Sequence, residues 1–337
     1  MDDGSMTATV NVMDEASGEG WHLWNGDCVE VARGLPEASV DYMIYSPPFE
    51  SLYTFSDDPR DMSNCRSSEQ FWTHYRFLIV EYFRALQPGR LVSIHCMNLP
   101  TSKLRDGFIG IRDFRGEIIR AHVEAGFIFH SEVVIRKDPV SAMQRSKALG
   151  LLHKQIVKDS SLSRMVIPDY VVTLRKPGDN AEPVAGPFDA YYGSEAAPDG
   201  PLMQSMWAGE GQARVTKALR PDDPWFSVAV WQRYAEAIWA DIAQSDVLSR
   251  KEAREELDEA HIAPLQLTVI RRCLELWSNP GDTVFSPFAG IGSELYCALQ
   301  MGRRATGAEL KPSYYRQAVK NCTAARRAGG DLFAVSA

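Results

Sequence analysis

Short apolar runs alternate with stretches of helical apolar spacing along much of the chain. Val40 to Tyr45 is mostly apolar and reads as a buried strand. Pro47 and Pro48 end it, because proline locks its own backbone and lacks an N–H. Ahead of it, residues 21–24 form a strand candidate, Asn25-Gly26-Asp27-Cys28 a turn, and residues 29–35 a short helical pattern. Strand, turn, helix, strand is a βαβ rhythm. Further on, the spacing predicts a helix over 71–86, stopped at Pro88-Gly89, and a strand over 90–96. A loop over 98–116, with Lys103, Arg105, Arg112 and Arg115, leads to a helix over 117–124 and a strand over 127–135.

The alternation breaks after Arg136 and returns with a strand over 170–174. Residues 175–200 are rich in Pro, Gly, Asp and Ala and read as a loop or linker. Residues 201–246 carry Trp207, Trp225, Trp231 and Trp239 without clear period, and no element is assigned to them. A charged helix is expected over 249–260 and an amphipathic one over 265–277. A strand reaching Phe285, a glycine-containing turn, a helix over 294–301, a strand over 305–308 and a last helix from Lys311 complete an α/β pattern.

At 337 residues the chain is long enough for one large α/β domain with insertions, or for two small domains. No apolar stretch approaches membrane-spanning length. Residues 1–20 are acidic, small and polar, without a basic, apolar signal region; they read as a disordered lead-in to an intracellular, cytoplasmic protein. The six cysteines are scattered with no Cys-x-x-Cys pair, so neither a zinc site nor a disulfide framework is indicated.

The net charge of −8 argues against a general attraction to nucleic acid, but a groove binder depends on its local field. Between 136 and 164 the basic residues Arg136, Lys137, Arg145, Lys147, Lys154, Lys158 and Arg164 outnumber the acids Asp138 and Asp159. Lys147, Lys154 and Lys158 fall close to one helical face. Such a run fits either a solvated helix face or a surface for phosphates and base edges.

Two segments carry candidate chemistry. In Ser46-Pro47-Pro48-Phe49 the Ser46 hydroxyl and the Pro47 carbonyl are acceptors beside an aromatic ring. That set suits an amino group on a flat ring, and strand ends of open α/β sheets are where ligands bind. The second is Ser286-Pro287-Phe288-Ala289-Gly290-Ile291-Gly292-Ser293-Glu294. Glycines allow close backbone approach to a ligand, and a helix N-terminus offers free N–H groups. Leu295 stands where the dinucleotide fingerprint needs its third glycine, and no Lys-Ser/Thr follows, so neither NAD binding nor a P-loop is indicated. Glu309 ends the next strand, roughly 20 residues on, where an acid can bind ribose hydroxyls.

Ser-Pro-Pro-Phe resembles the catalytic motif of the amino-group DNA methyltransferases, which modify N4 of cytosine or N6 of adenine. The run 261–321 resembles the cofactor half of the same family in order and spacing. Catalytic motif first and cofactor turn last resembles the permuted β arrangement, and Ser-Pro-Phe-x-Gly-Ile-Gly-Ser-Glu resembles a phage and prophage branch. The resemblance implies a Rossmann-like, circularly permuted sheet binding S-adenosylmethionine, with a target-recognition region inserted. The boundaries expected are a lead-in over 1–20, a catalytic half over 21–135 and a recognition insert over 136–248, of which 170–174 returns to the sheet. A cofactor half over 249–325 and a tail over 326–337 follow. It further implies that Asp27, with Cys28, receives the adenine amino group, although Asp27 also fits as a plain helix cap. His261, Ser286, Phe288, Ala289, Gly290, Gly292 and Glu294 would surround the cofactor, and Glu309 would bind its ribose. Ser286 stands where the family usually has Asp, and Glu294 could compensate as the acid near the cofactor's ammonium group.

By the same resemblance, Ser46, Pro47, Pro48 and Phe49 act on a base flipped out of double-stranded DNA, held in part by the basic residues of 136–164. Residues 50–70, with Tyr53 and Phe55, read as a lid or a plain connection. Ser46 leans the reading toward N4-cytosine; the N6-adenine branch more often has Asp or Asn there. N6-adenine, an RNA or small-molecule substrate, and a catalytically silent DNA-binding protein stay open as alternatives, and a homodimer is compatible with all of them. His95 reads as a structural residue near the cofactor edge.

Overall fold

The computed structural model describes residues 11–50, 58–146, 151–184, 226–249 and 264–333. In chain order the elements are β1 (Asp14–Gly18), β2 (Trp21–Asn25), α1 (Cys28–Gly34), β3 (Val40–Tyr45), α2 (Ser68–Ala85) and β4 (Leu86–Met97). There follow β5 (Leu99–Pro100), α3 (Lys103–Asp106), β6 (Ile111–Arg112), α4 (Phe114–Glu124), β7 (Ile128–Ile135), α5 (Pro139–Ser146), α6 (His153–Asp159) and β8 (Asp169–Arg175). The last are α7 (Phe226–Ala235), β9 (Ile238–Trp239), α8 (Leu267–Trp277), β10 (Thr283–Ser286), α9 (Ser293–Gln300), β11 (Arg304–Glu309) and α10 (Pro312–Phe333).

One sheet runs in the order β1-β2-β11-β10-β3-β4-β8-β7-β9, and β5 pairs with β6 apart from it. From β2 to β4 all neighbours are parallel; β8 is antiparallel to β4 and to β7. The parallel strands are buried on both faces, which is why β3 reads as a nearly unbroken apolar run. Met43 and Tyr45 enter a core with residues of α1, α2 and α4; Tyr42 and Ile44 enter another with residues of α8, α9 and α10.

The chain order of the sheet is permuted. β10 and β11, from the C-terminal half, lie between β2 and β3 of the N-terminal half. From β10 the chain crosses through α9 to β11; from β3 it crosses the other way, through α2 to β4. The carboxyl ends of β10 and β3 therefore form a topological switch point, where open α/β sheets bind ligands.

Several boundaries differ from the sequence reading. Residues 14–18, expected within a disordered lead-in, pair antiparallel with β2, whose backbone would otherwise lack partners on that side. β4 begins at Leu86, so Pro88-Gly89 lies within it rather than between helix and strand. Gly89 takes a positive φ of 75° and donates to the Lys176 carbonyl, which keeps that segment in the sheet. α4 begins at Phe114, three residues before the expected start, because the Asp113 carboxylate caps the Gly116 N–H at 2.9 Å. α10 continues to Phe333, through part of the segment read as a tail. Within the basic stretch Pro139–Ser146 and His153–Asp159 form two short helices, α5 and α6, and Lys154 and Lys158 share the second. All six cysteines are buried and unpaired. Among the described residues no helix is long and apolar enough to cross a membrane.

Candidate active site

The switch point opens into a cleft of about 1120 Å³, part of it open to solvent. Ser46, Pro47, Pro48 and Phe49 form one wall at the end of β3. Phe288, Ala289, Gly290 and Glu294 form another after β10, and Asp27, Cys28 and Glu309 close the side formed by β2 and β11. Two motifs about 240 residues apart in sequence thus face one space, because β10 pairs directly with β3, Val284 opposite Tyr42 and Phe285 opposite Met43.

Asp27 caps α1 and faces the cleft. Its Oδ1 caps α1, accepting from the N–H groups of Val29 and Glu30 at 2.9 and 3.1 Å, while the residue also lines the cleft. Cys28 lies beside it, its thiol pushed well up by burial. Glu309 braces the glycine turn: one oxygen accepts from the Gly290 N–H at 2.8 Å, the other from the Lys311 N–H at 2.9 Å. Burial lifts its carboxyl to about 7, against those two donors. Glu294, in the first turn of α9, is 4% exposed and is raised by burial to about 8, helped by the charge of Glu309. The Ser293 hydroxyl beside it is buried and unpartnered, and also lines the cleft.

The turn requires its glycines for different reasons. Gly290 has φ 54° with open space where a Cβ would stand, so the demand is conformational and the backbone lies bare toward the cleft. Gly292 caps α9 at φ 83°, and a Cβ there would come within 3.0 Å of Ala318 on α10. Gly292 therefore serves helix packing and does not line the cleft. Ser286 is fully buried beneath the turn, its hydroxyl without a partner. His261, Tyr53, Phe55 and Lys147 lie outside the described residues.

On the wall after β3, the Ser46 hydroxyl sits 3.2 Å from the His95 carbonyl oxygen and 3.3 Å from His95 Nδ1. Its one proton can go to the carbonyl oxygen, and the direction of the Nδ1 contact depends on the tautomer of His95. Phe49 is half-buried, with its ring edge-on to Phe114 at 6.0 Å. Behind the wall, the Tyr45 hydroxyl bonds those of Tyr75 and Tyr82 at 2.8 and 3.0 Å, and Tyr82 reaches His122 Nε2. This buried polar chain anchors the residue that precedes Ser46.

Sequence reasoning missed Glu50 and Arg112. Glu50 is buried at φ 47°, accepts from Ser68 Oγ at 3.1 Å, and pairs with Arg112 Nη1 at 2.8 Å. It clamps the end of the Pro-Pro motif to α2 and to the β5–β6 hairpin. A positive φ on a non-glycine residue leaves no signature in composition or period.

The basic insert leaves the sheet at the same edge as Ser46, since the carboxyl end of β7 and the amino end of β8 lie beside the carboxyl end of β4. Arg136, Lys154 and Lys158 are exposed; Arg164 is half-buried; the side chain of Arg145 is not among those described. Lys137 turns inward instead, with its Nζ 2.5 Å from Asp169.

A family model described as DNA methylase, of the N6/N4 methyltransferase type, matches residues 40–320. M.BglI, a type II methyltransferase of Bacillus subtilis, is 20% identical over 323 residues, covering 88% of this chain and 84% of that protein. YubD of Escherichia coli strain K12 is 37% identical over only 68 residues, 20% of this chain and 30% of its own length. Among solved structures, TTHA0409 of Thermus thermophilus, complexed with S-adenosyl-L-methionine, is 22% identical with a TM-score of 0.57, covering 89% of this chain and 92% of that one. The cytosine-N4-specific PvuII DNA methyltransferase is 14% identical with a TM-score of 0.52, covering 93% of each chain.

Proposed function

The chain belongs to the N6/N4 DNA methylase family, and on that premise we propose that it transfers a methyl group from S-adenosylmethionine to an exocyclic amine in DNA, N4 of cytosine by preference. One observation carries this reading: the Ser46 wall and the glycine turn with its two carboxylates share one cleft at the switch point.

The cleft fits the cofactor. Glu294 is a buried carboxylate that no cation among the described residues offsets, placed to hold an ammonium group. Glu309 keeps lone pairs for ribose hydroxyls beyond the two backbone bonds it accepts. The uncapping oxygen of Asp27 is left for the adenine amino group. When bound, S-adenosylmethionine supplies an electrophilic methyl group on a sulfonium.

The chain's own part is positioning. Ser46 Oγ accepts one amine N–H while its own proton goes to the His95 carbonyl oxygen; the Pro47 carbonyl accepts the other. Both bonds orient the nitrogen lone pair away from the ring plane. Phe49 offers the face on which the base stacks. The amine of a paired base is out of reach, so the base leaves the stack first. Catalysis then comes from orientation and fixed dipoles. Arg136, Lys154 and Lys158 hold the backbone phosphates. Ser46 supports cytosine over adenine, on the family pattern noted above.

The test is mass spectrometry of nucleosides after incubating unmethylated DNA with the protein and isotope-labelled S-adenosylmethionine. Labelled N4-methylcytosine is expected. Labelled N6-methyladenine would keep the mechanism and reverse the base. Absence of label on any nucleoside, with cofactor binding verified, would refute the reading.

A further inference from the structure

His95 lies at the carboxyl end of β4, buried, between the Ser46 hydroxyl and a second charged pair. Its Nδ1 is 3.3 Å from Ser46 Oγ, and its Nε2 is 3.5 Å from Asp169 Oδ2. Asp169 opens β8, is 4% exposed, and is bound from its other oxygen by Lys137 Nζ at 2.5 Å. Four residues from four segments, Ser46, His95, Asp169 and Lys137, are thus joined in one line ending in the cleft. A positioned acceptor alone would need none of the last three.

We infer that His95 is a positioning residue that takes up the proton released at the amine through Ser46, and that Asp169 and Lys137 set its tautomer and charge. The inference rests on the amine-methylation reading. Nε2 makes no hydrogen bond at its 3.5 Å separation from Asp169 Oδ2, but an ionised carboxylate accepts and cannot donate, so closing that gap puts the ring hydrogen on Nε2 and leaves the Nδ1 lone pair facing Ser46. Lys137 Nζ binds the other oxygen of Asp169 and so holds the carboxylate in place against the ring. The proton balance closes within these groups. As the amine nitrogen bonds the methyl carbon, the carbon–sulfur bond breaks with its electron pair staying on sulfur, and the nitrogen becomes cationic. It loses one N–H proton to Ser46 Oγ while the Ser46 proton passes to His95 Nδ1. The imidazolium rests against Asp169 until its proton leaves to water. No oxidant or further reactant is needed.

With the Nδ1 lone pair facing Ser46, the hydroxyl proton can turn from the His95 carbonyl oxygen to Nδ1, and the Ser46 lone pairs face the substrate. With His95 protonated, Nδ1–H donates to Ser46 Oγ and occupies a lone pair that the amine needs. The charged groups facing the ring are Asp169 from β8 and Lys137 from the segment after β7. Near the adjacent Cys96 are Arg115, Glu132 and Asp113, of which Arg115 and Glu132 pair with each other.

The test compares full-length wild type, His95→Gln and Asp169→Asn. Single-turnover methylation is measured from pH 5 to 9, and histidine 15N spectra are recorded without cofactor. The wild-type rate should fall on the acid side. His95→Gln should slow turnover about a hundredfold and remove that acid limb, while cofactor affinity stays within about twofold. Imidazole added to His95→Ala should restore part of the rate. Asp169→Asn should move the acid limb to lower pH, since it removes the anion that favours the imidazolium and leaves Lys137 uncompensated. The 15N signal absent from His95→Gln should report the Nε2–H form in wild type and a mixture in Asp169→Asn. An unchanged acid limb in His95→Gln, or an Nδ1–H ring in wild type, would overturn the inference. Failure of wild type itself to methylate any exocyclic amine would instead sink the reading beneath it, so the two failures are distinct.

Discussion

Glu294 makes a quantitative test of the cofactor site possible without any turnover. Its carboxyl is raised from an ordinary value of 4.5 to about 8, first by burial and then by Glu309. A carboxyl raised on folding contributes stability that is fully present below pH 4.5 and is lost as pH rises through 8, because the folded chain then holds a proton the unfolded chain has released. The shift of about 3.5 units, at about 1.36 kcal/mol per unit, limits the loss to about 4 kcal/mol at pH 8. Water entering the open cleft brings the expected value to about 2–4 kcal/mol. Glu294→Gln keeps the shape and removes the charge, so without cofactor the variant should lie within about 1 kcal/mol of wild type at pH 5 and exceed it clearly at pH 8. At about 2.1 cal/mol/K of unfolding entropy per residue, that is about 3–6 °C in Tm for a chain of this size. Calorimetry at both pH values checks it, and contributions shared by the two proteins cancel in the difference. S-adenosylmethionine at pH 8 should reverse the order, since its ammonium group pairs with the Glu294 carboxylate and not with the amide. If Glu294→Gln loses as much stability as wild type between pH 5 and 8, the carboxyl is not held protonated in the free cleft and the argument fails.

Ser46→Ala removes the hydroxyl acceptor but no cofactor contact; methylation should fall at least a hundredfold with cofactor affinity unchanged by calorimetric titration, and unchanged turnover would sink the Ser46 role. Lys154→Glu and Lys158→Glu should each weaken DNA binding at all sequences and flatten the plot of log affinity against log salt by about one unit, read by fluorescence anisotropy. Tyr82→Phe strands His122 Nε2 in the core, where His122 is held neutral down to about pH 4, and leaves the Tyr45 hydroxyl with Tyr75 alone of its two partners. It should cost about 1–3 kcal/mol in urea unfolding at pH 7.

What was legible in the sequence was local. The Pro-Pro stop after β3, the glycine turn after β10 and the acid ending β11 are each written in a few consecutive residues. Asp27 was legible twice, as cap and as cleft residue, because both roles use the same carboxylate. What escaped was assembled across the chain. Lys137 read as a phosphate contact because charge and helical phase do not reveal that Asp169, 32 residues on, lies 2.5 Å from its ammonium. The surroundings of the His95 ring escaped because neither Ser46 nor Asp169 is near it in sequence. Glu50 and Arg112 were invisible for the same reason: the ion pair joins the motif to a hairpin about 60 residues away.

The permuted sheet raises the question of what keeps the two walls of the cleft in register. β3 and β10 share only two residue pairs, yet one carries Ser46 and the other the glycine turn. At the opposite end of these strands Arg90 Nη2 lies 3.3 Å from Asp41 Oδ1 and 3.0 Å from Asp282 Oδ2. Asp41 Oδ2 accepts from the Thr283 N–H at 2.7 Å, and its other oxygen accepts from Gln87 at 2.7 Å. The clasp ties β3 and β4 to β10 where pairing is thinnest, and Arg90 itself is 2% exposed. Arg90→Met preserves the volume of the stem but leaves two buried carboxylates facing each other, which should cost about 3–5 kcal/mol. The consequence for the site is more specific than lost stability. The residues proposed for the cofactor lie on β2, β10 and β11 with their following turns, whereas Ser46 lies on β3. Slippage between β10 and β3 should therefore spare cofactor affinity and lower turnover, measured well below the unfolding temperature. Equal loss of both would mean that the clasp supports the whole sheet without discriminating between the two halves, and that the register at Val284 and Phe285 is sustained by the apolar cores alone.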